Sequence, residues 1–248
     1  MFTSLDTITF ILREKEDALL NAKYLRDKGV FAESLPIVYL EYFDPTIEII
    51  DFDYLVITSP KAVHTLNNLI LSDAYSVSKR TNIFAIGLET NKKLKNEKYK
   101  NVFHANGNSK ALFQLILNKT LQNDKGLWIT AKDRSFDLQS MLKLKNRRLE
   151  IYESYKMLPI NEIAENNIDS LVNSKNCNLL ILSSRNVLLS KSLLEQYNLF
   201  EKVNDKAILL VNSYNVSQKA KKLGWKHVKI IKKNFTKDIL DYIVQTTK

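Results

Sequence analysis

The sequence predicts an α/β protein made of two similar lobes, each a parallel sheet flanked by helices. Short apolar runs alternate with amphipathic stretches along the whole chain, which is typical of parallel sheets covered on both faces. The same alternation starts again after the middle of the chain, and no stretch rich in glycine or proline separates the two halves. We therefore expect strand-like connections, rather than a flexible tether, to join the lobes around a cleft.

The first half of the chain predicts strands and helices in alternation. A helix over 16–28 ends at Gly29, a residue suited to the left-handed conformation that closes helices. Ser59 and Pro60 suit the start of a helix through Leu66, because serine caps helices and proline fits the first turn. Further helices are expected near 90 and from 109. The predicted strands are 7–13, 31–35, 53–57, 83–86 and 102–105.

The second half repeats this order and suggests an internal duplication. The pair Thr58-Ser59 recurs as Ser183-Ser184, and Ile86-Gly87 recurs as Val211-Asn212 at the same offset along the chain. Two copies of one α/β unit explain this correspondence. The predicted strands are 127–131, 149–155, 179–182, 208–211 and 228–231, and the predicted helices are 136–144, one through Leu194, 214–223 and 236–244.

The net charge of +10 admits three interpretations. Scattered lysines solvate the surface of many proteins, a basic cleft suits an anionic small substrate, and a basic balance also occurs in nucleic-acid-binding proteins. No stripe that interleaves arginine with aromatic residues supports the third, so we expect no nucleic-acid partner.

The composition indicates a cytoplasmic protein without a membrane span. No apolar stretch is long enough to cross a bilayer. The apolar run at 8–12 is followed at once by charged residues, which is the wrong order for a signal peptide. The single cysteine, Cys177, cannot form an intramolecular disulfide, as expected in a reducing compartment.

Several catalytic classes lack their usual residues. Five glycines cannot supply a dinucleotide fingerprint or a phosphate-binding loop. His64, His104 and His227 lie far apart, with no second ligand at metal spacing. No serine lies in a nucleophile elbow, and Cys177 is interpreted as a core residue. We therefore expect neither a metal nor a cofactor.

A set of motifs, in order over nearly the whole chain, resembles the uroporphyrinogen-III synthase family. The most characteristic is an apolar strand that leads into Thr58-Ser59 and, after two residues, Ala62-Val63. Two departures concern Ser213 and Val216, where the family carries glycine and threonine, so that any polar role passes to Asn215 or Ser217 or is lost. A third is Glu14 in place of proline. The remaining motifs are Phe10-Ile11-Leu12-Arg13 with Gly29 and Leu35-Pro36, Ala85-Ile86-Gly87 with Thr90, Tyr155 with Pro159, Leu179 to Ser184, and Ala220 with Leu223-Gly224.

The resemblance implies an enzyme that closes hydroxymethylbilane, a linear tetrapyrrole with eight carboxylates, into uroporphyrinogen III while inverting ring D. It also implies a discontinuous first domain of 1–36 and 160–248 and a second of 37–159, with linkers near 36–42 and 155–159. A hinge between the lobes would let a bulky substrate enter. Such a reaction depends on control of conformation and charge separation rather than on a cofactor.

Candidate site residues follow from the resemblance and from the predicted strand ends. Tyr155, the tyrosine that matches the family motif, and Thr90 are the expected catalytic donors; a core tyrosine and a helix cap are the alternatives. Residues that pass from strands into helices lie at the edge where parallel sheets bind ligands. The expected substrate-binding residues are Arg13, Thr58, Ser59, Lys61, Gly87, Lys132, Ser183, Ser184 and Arg185, with Arg134 at the same kind of position.

Two other functions remain open on sequence alone. One is a catalytically inactive two-lobed binding module of the same ancestry, motivated by Ser213 and Val216, and the other is nucleic-acid binding, motivated by the charge. For the enzyme we expect a monomer whose partner is its small-molecule substrate, with transient contact to the upstream hydroxymethylbilane synthase.

Overall fold

The chain divides into two compact units. The structure, a computed structural model, describes residues 7–43, 52–71, 80–105, 108–134, 136–233 and 235–247. Unit 1 comprises Met1–Leu40 and Leu158–Lys248, and unit 2 comprises Glu41–Met157. The chain therefore passes from one unit to the other twice. That these units are domains with boundaries at 36/37 and 159/160 stays a prediction.

Unit 1 is built on a five-stranded sheet in which every described pairing is parallel. Across the sheet the strands lie in the order β11 (Val228–Ile230), β10 (Ala207–Val211), β9 (Asn176–Leu180), β1 (Thr7–Ile11) and β2 (Ala32–Ser34). Its helices are α1 (Lys15–Asp27), α6 (Glu165–Asn173), α7 (Ser184–Gln196), α8 (Phe200–Lys206), α9 (Tyr214–Lys222) and α10 (Thr236–Thr247).

Both faces of the unit 1 sheet are buried. Successive side chains of a strand point to opposite faces, and β1 follows this rule: Phe10 packs in one apolar cluster and Ile11 in the other. The first cluster includes Val187 of α7 and Val216 of α9, and the second includes Ile239 of α10. The predicted α/β class, with helices on both faces of a parallel sheet, is confirmed.

Unit 2 holds a six-stranded sheet that is parallel except at one edge. The strands lie in the order β3 (Val38–Tyr42), β8 (Arg148–Pro159), β7 (Lys125–Ala131), β4 (Tyr54–Ile57), β5 (Asn82–Ile86) and β6 (Val102–Ala105). β3 is antiparallel to β8, because Phe43 N–H donates to Ser154 and Ile160 N–H donates to Ile37. β3, which the sequence analysis places in a strand-like linker, therefore adds one antiparallel edge to an otherwise parallel sheet. The helices are α2 (Ala62–Leu71), α3 (Leu88–Asn96), α4 (Ser109–Lys119) and α5 (Leu138–Lys143).

The two sheets share one strand order. The order β11-β10-β9-β1-β2 in unit 1 corresponds to β6-β5-β4-β7-β8 in unit 2. In both sheets, the strand that leads into the Ser-containing pair (β4 or β9) lies next to a strand (β7 or β1) from which the chain continues to the outer neighbour on that side (β8 or β2). The structure thus supports the duplication that the sequence suggests.

Two helices and several boundaries differ from the prediction. Helices α6 and α8 are absent from the sequence-based assignment, β9 ends at Leu180 rather than 182, and α5 begins at Leu138 rather than 136. Within the described ranges, no helix is long and apolar enough to span a membrane.

Candidate functional site

The residues predicted in unit 1 lie where two neighbouring strands end. Arg13 follows β1, and Ser183, Ser184 and Arg185 follow β9. From β1 the chain moves to β2 on one side, while β9 lies on the other. The chain thus leaves β1 and β9 in opposite directions across the sheet. In open parallel sheets, ligands bind at the carboxyl ends of the strands where the order reverses in this way. The topology therefore brings these four residues to one such edge.

Arg13 and Glu14 organise the start of α1. Arg13 Nη2 lies 3.0 Å from Asp17 Oδ2, and both side chains remain partly accessible. Glu14 caps the helix, since its carboxylate accepts from the backbone N–H groups of Glu16 (3.1 Å) and Asp17 (3.3 Å). A carboxylate favours a helix N-terminus through both the hydrogen bonds and the helix dipole. The glutamate that replaces the family's proline thus has a structural role.

The start of α7 is fixed to the end of β1. Ser183 Oγ accepts from Asn186 N–H at 3.2 Å and caps the helix. Asn186 Nδ2 also donates to the carbonyl oxygen of Leu12 at 3.5 Å. Ser184 is the first helical residue and is half-buried, whereas Arg185 is exposed. This helix start offers backbone donors and a guanidinium, the groups that bind carboxylates.

The departures at Ser213 and Val216 also have a local explanation. Ser213 caps α9 by accepting from Val216 N–H at 3.4 Å. Val216 and Ser217 are buried, whereas Asn215 is exposed. Of the two residues predicted to take over a polar role, Asn215 is therefore the exposed one.

Unit 2 repeats this arrangement at its own strand reversal. Thr58, Ser59 and Lys61 follow β4, and Lys132 follows β7, the strand beside it. From β4 the chain moves to β5 on the other side, and Gly87 follows that strand. The topology brings these five residues to the carboxyl edge of the unit 2 sheet.

A β-bulge sets the position of Tyr155 on this edge. Thr130 pairs with Glu153, but Ala131 pairs with Tyr155, so Ser154 has no partner residue on β7. Ser154 is buried, and its Oγ donates to the carbonyl oxygen of Thr130 at 3.3 Å. A bulge changes the direction of the side chain that follows it, and bulges are common beside active sites.

The Tyr155 phenol lies among polar groups from the β4–α2 connection. The side chain is buried and forms a hydrogen bond with the Ser59 hydroxyl. Burial raises the pKa of Tyr155, whereas the Ser59 hydrogen bond and the charge of Lys61 oppose the rise. Ser59 Oγ also accepts from Lys61 N–H at 3.2 Å. The phenol is therefore protonated at neutral pH, with a cation nearby.

Thr58 has a structural partner. Trp128 is fully buried, and its Nε1 donates to Thr58 Oγ1 at 3.1 Å. The Arg134 guanidinium lies 5.9 Å from the Trp128 ring centroid and pairs with Glu153 Oε1 at 2.7 Å. Because a hydroxyl that accepts can still donate, Thr58 retains a proton for a second bond.

Gly87 and Thr90 lie at the start of α3. Gly87 has φ +77°, a conformation that favours glycine. Its N–H donates to the Ala105 carbonyl oxygen at 3.2 Å, so this amide is already bonded. The backbone N–H groups of the first turn of α3, which have no acceptor within the helix, begin at Leu88. Thr90 is buried inside the helix and is not its cap. The alternative interpretation of Thr90 as an N-cap is therefore wrong.

Two side chains that the sequence analysis did not select join the Tyr155 cluster. The Tyr42 ring centroid lies 5.9 Å from that of Tyr155 and 4.8 Å from that of His64. Lys132, in contrast, is exposed, and its backbone N–H donates to the Tyr155 carbonyl at 2.8 Å. The contact between Tyr42 and Tyr155 depends on strand register, for which the sequence contains no signal.

Comparisons with known proteins place the chain in a family. Two solved structures share its fold: uroporphyrinogen-III synthetase from Helicobacter pylori is 15% identical, with 98% of this chain and 100% of that chain covered and a TM-score of 0.64. A mutant uroporphyrinogen III synthase from Thermus thermophilus is 14% identical, with 98% and 99% covered and a TM-score of 0.55. A search of curated sequences found no match.

The family model described as uroporphyrinogen-III synthase HemD matches residues 21–241, which include the strand ends of both units except that of β1. A match over most of the chain, together with the shared fold, confirms the resemblance found in the motifs. The chain belongs to the uroporphyrinogen-III synthase family.

Proposed function

We propose that the chain converts hydroxymethylbilane into uroporphyrinogen III, as a cyclising lyase that inverts ring D. The family match over residues 21–241 is the observation that carries the proposal. In this reaction the hydroxyl of ring A takes up a proton and leaves as water, and the resulting azafulvene cation is attacked by the substituted end of ring D. The spirocyclic intermediate then breaks and rejoins with ring D reversed.

Tyr155 is the proposed donor to the leaving hydroxyl. Its phenol is held by Ser59, and its raised pKa keeps the proton in place at neutral pH. A phenol is a weak acid, so it assists departure as an oriented hydrogen-bond donor. Lys61 lies close enough to influence the phenol electrostatically and is proposed to bind a substrate carboxylate. The catalytic role of Thr90, which is buried in α3, stays a prediction.

The proposed carboxylate-binding groups lie at the two sheet edges. Arg13 and Arg185 supply guanidinium groups in unit 1, and Lys61 and Lys132 supply ammonium groups in unit 2. Backbone donors come from the starts of helices, namely α7 after Ser183 and α3 after Gly87. Thr58, Ser59 and Ser184 are proposed to add hydroxyl donors. A net charge of +10 favours the approach of such an anionic substrate.

The isomer of the product tests the function. Hydroxymethylbilane, generated in the same vessel by hydroxymethylbilane synthase, cyclises without inversion when it is left alone in water. After oxidation, chromatography separates the type I and type III porphyrins. We expect type III in excess when the chain is added; type I alone would overturn the proposal and leave an inactive binding module.

The role of Tyr155 has a matched control. Tyr155→Phe removes one hydrogen-bond donor and should lower kcat about 2- to 10-fold, the value of an ordinary hydrogen bond. Tyr99→Phe also removes a buried hydroxyl from unit 2, one that donates to Asn67 Oδ1 at 2.7 Å away from the strand reversal. That control should keep kcat unchanged. If Tyr155→Phe has the same kcat as Tyr99→Phe, the Tyr155 hydroxyl has no part in the mechanism.

We further propose that the enzyme acts as a cytoplasmic monomer. Burial raises the pKa of the Cys177 thiol to about 11, so the single cysteine stays protonated and unreactive. Light scattering at assay concentrations tests the monomer, and a dimer mass would contradict it. A transient contact with hydroxymethylbilane synthase is expected to appear as a shorter lag in the coupled assay than free diffusion allows.

A further inference from the structure

Tyr42 lies beside Tyr155 because of the register between β3 and β8. Phe43 N–H donates to the Ser154 carbonyl at 3.0 Å, and Lys156 Nζ pairs with Glu41 Oε1 at 2.7 Å. In this antiparallel register, residue numbers rise along β3 as they fall along β8. Tyr42 lies between Glu41 and Phe43. It is therefore opposite Tyr155. Their rings meet at 56°, with centroids 5.9 Å apart. Directly opposed aromatic residues on antiparallel strands interact favourably.

A second ring supports Tyr42 from α2. His64 lies in the first turn of that helix, three residues after Lys61, and its ring centroid is 4.8 Å from that of Tyr42 at 54°. His64 Nε2 lies 3.3 Å from Asn68 Nδ2, one turn further along the helix. The rings of Tyr155, Tyr42 and His64 therefore form a continuous row, which we call the aromatic row.

The aromatic row runs from a buried ring to exposed ones. Tyr155 is 2% exposed, Tyr42 is 39% exposed and His64 is also exposed. A ring held on two sides loses little conformational freedom when a ligand packs on it, so its contact contributes efficiently to binding. A pyrrole is a flat aromatic ring of matching size, and aromatic pairs favour tilted or offset contacts.

We propose that Tyr42 is a further substrate-binding residue, whose exposed ring contacts a pyrrole ring of the tetrapyrrole next to the Tyr155 phenol. This inference rests on the proposed function. It assigns to Tyr42 the placement of the pyrrole whose substituent Tyr155 contacts. A carboxylate of the same ring is assigned to Lys61, whose charge acts on the Tyr155 phenol.

Tyr39 supplies a matched control on the same strand. It has the same exposed fraction, 39%, and the same side chain as Tyr42. Because successive residues of a strand point to opposite faces, residues three apart lie on different faces. Tyr39 therefore does not belong to the aromatic row.

The test compares steady-state kinetics and the type III fraction of the product. Tyr42→Ala should raise KM about 2- to 10-fold and lower the type III fraction, since an aromatic contact of this kind is lost. Tyr39→Ala should retain wild-type KM, and Tyr42→Phe, which keeps the ring, should raise KM less than Tyr42→Ala does. Circular dichroism checks that the variants fold; if Tyr42→Ala does not, Tyr42→Leu keeps a large apolar side chain without the aromatic ring and should show the same rise in KM.

Two results would overturn the inference while the proposed function stands. One is an unchanged KM and type III fraction in Tyr42→Ala or Tyr42→Leu when the wild type makes type III. The other is an equal rise in KM in Tyr39→Ala, which would indicate a general effect of shortening β3 side chains. If the wild type makes type I alone, the proposed function has failed, which is a different outcome.

Discussion

Replacing Thr58 by valine should destabilise unit 2 by about 1–3 kcal/mol. Valine has nearly the shape of threonine but cannot accept a hydrogen bond. Trp128, which is fully buried, would then keep its Nε1–H without the acceptor that now lies 3.1 Å away. An unsatisfied buried donor costs about 1–3 kcal/mol, and for a protein of this size each kcal/mol lowers Tm by about 2–4 °C. We therefore expect Tm to fall by about 2–12 °C.

The two tryptophans allow each unit to be observed separately. Trp128 lies in unit 2 and Trp225 in unit 1. Trp225→Phe is a suitable background, because the Trp225 indole N–H is buried with no hydrogen-bond partner among the described residues. Urea unfolding followed by the fluorescence of Trp128 then reports the stability of unit 2 alone.

Thr58→Ser, which keeps the acceptor, is the control for this prediction. Its transition should lie closer to that of the wild type than the valine variant's does. When Trp128→Phe has already removed the donor, Thr58→Val should cost much less, a coupling measurable by circular dichroism. If the valine variant unfolds at the same urea concentration as the wild type, the hydrogen bond does not stabilise unit 2. Activity measured at urea concentrations well below the unfolding transition, where the variants are folded, separates this structural role of Thr58 from its proposed contact with substrate.

Three further predictions concern packing, capping and ionisation. Gly126→Ala should destabilise unit 2 by about 1–3 kcal/mol in urea, because the new Cβ would lie 2.6 Å from the hydroxyl oxygen of buried Tyr54 and closer still to its ring; an unchanged midpoint would contradict this. Ser183→Ala should cost unit 1 about 1 kcal/mol through loss of the α7 cap, measured by Trp225 fluorescence, and Ser183→Asp should not. Burial holds the pKa of Tyr155 above its ordinary value of about 10, so its contribution to stability is complete below that value and is lost as the pH rises through the folded pKa. An ultraviolet difference titration against Tyr155→Phe should show this late ionisation, and Lys61→Met should delay it further; ionisation below pH 10 would be contrary to both expectations.

The strands of the sheet interiors could be predicted because burial on both faces leaves a clear pattern. The run Asp53-Tyr54-Leu55-Val56-Ile57 contains the whole of β4, whose four residues are all buried. The edge strand β3 lacks this signal, since its burial alternates irregularly. Its antiparallel pairing with β8 depends on contacts between distant segments, which no local pattern records.

Helices α6 and α8 were missed because tertiary contacts, rather than local propensity, hold them. The α6 sequence contains three asparagines among nine residues, a composition that favours turns. In the structure, Asn167 Nδ2 and Ser170 Oγ donate to the Glu33 carboxylate at 2.9 and 2.7 Å, and Leu171 is buried in the core. Helix α8 has only seven residues, and Phe200 and Val203 anchor it to the same core.

The candidate site was predictable to the extent that backbone topology determines it. Strands that alternate with helices must bring the residues after β1, β9, β4 and β7 to carboxyl edges, whatever the side chains are. Side-chain partners are different: the bond from Trp128 to Thr58 and the contact of Tyr42 with Tyr155 join residues far apart in the sequence. Such contacts require the register and the bulge, which the sequence does not specify.

This division explains how a chain only 15% identical to a solved relative can keep the fold. A catalyst that acts by holding a flexible polyanion needs donors and cations at fixed places, and helix starts supply backbone donors with any suitable cap. Ser213 illustrates the point, because it caps α9 where the family motif has glycine, and Val216, in place of threonine, contributes its backbone N–H to that cap. Substitution at such positions leaves the donors in place, whereas substitution of Tyr155 removes a hydroxyl that no backbone group supplies. We therefore expect activity to tolerate Ser213→Gly far better than Tyr155→Phe, and the reverse order of activities would show that side chains at the helix starts, rather than their backbone, position the substrate.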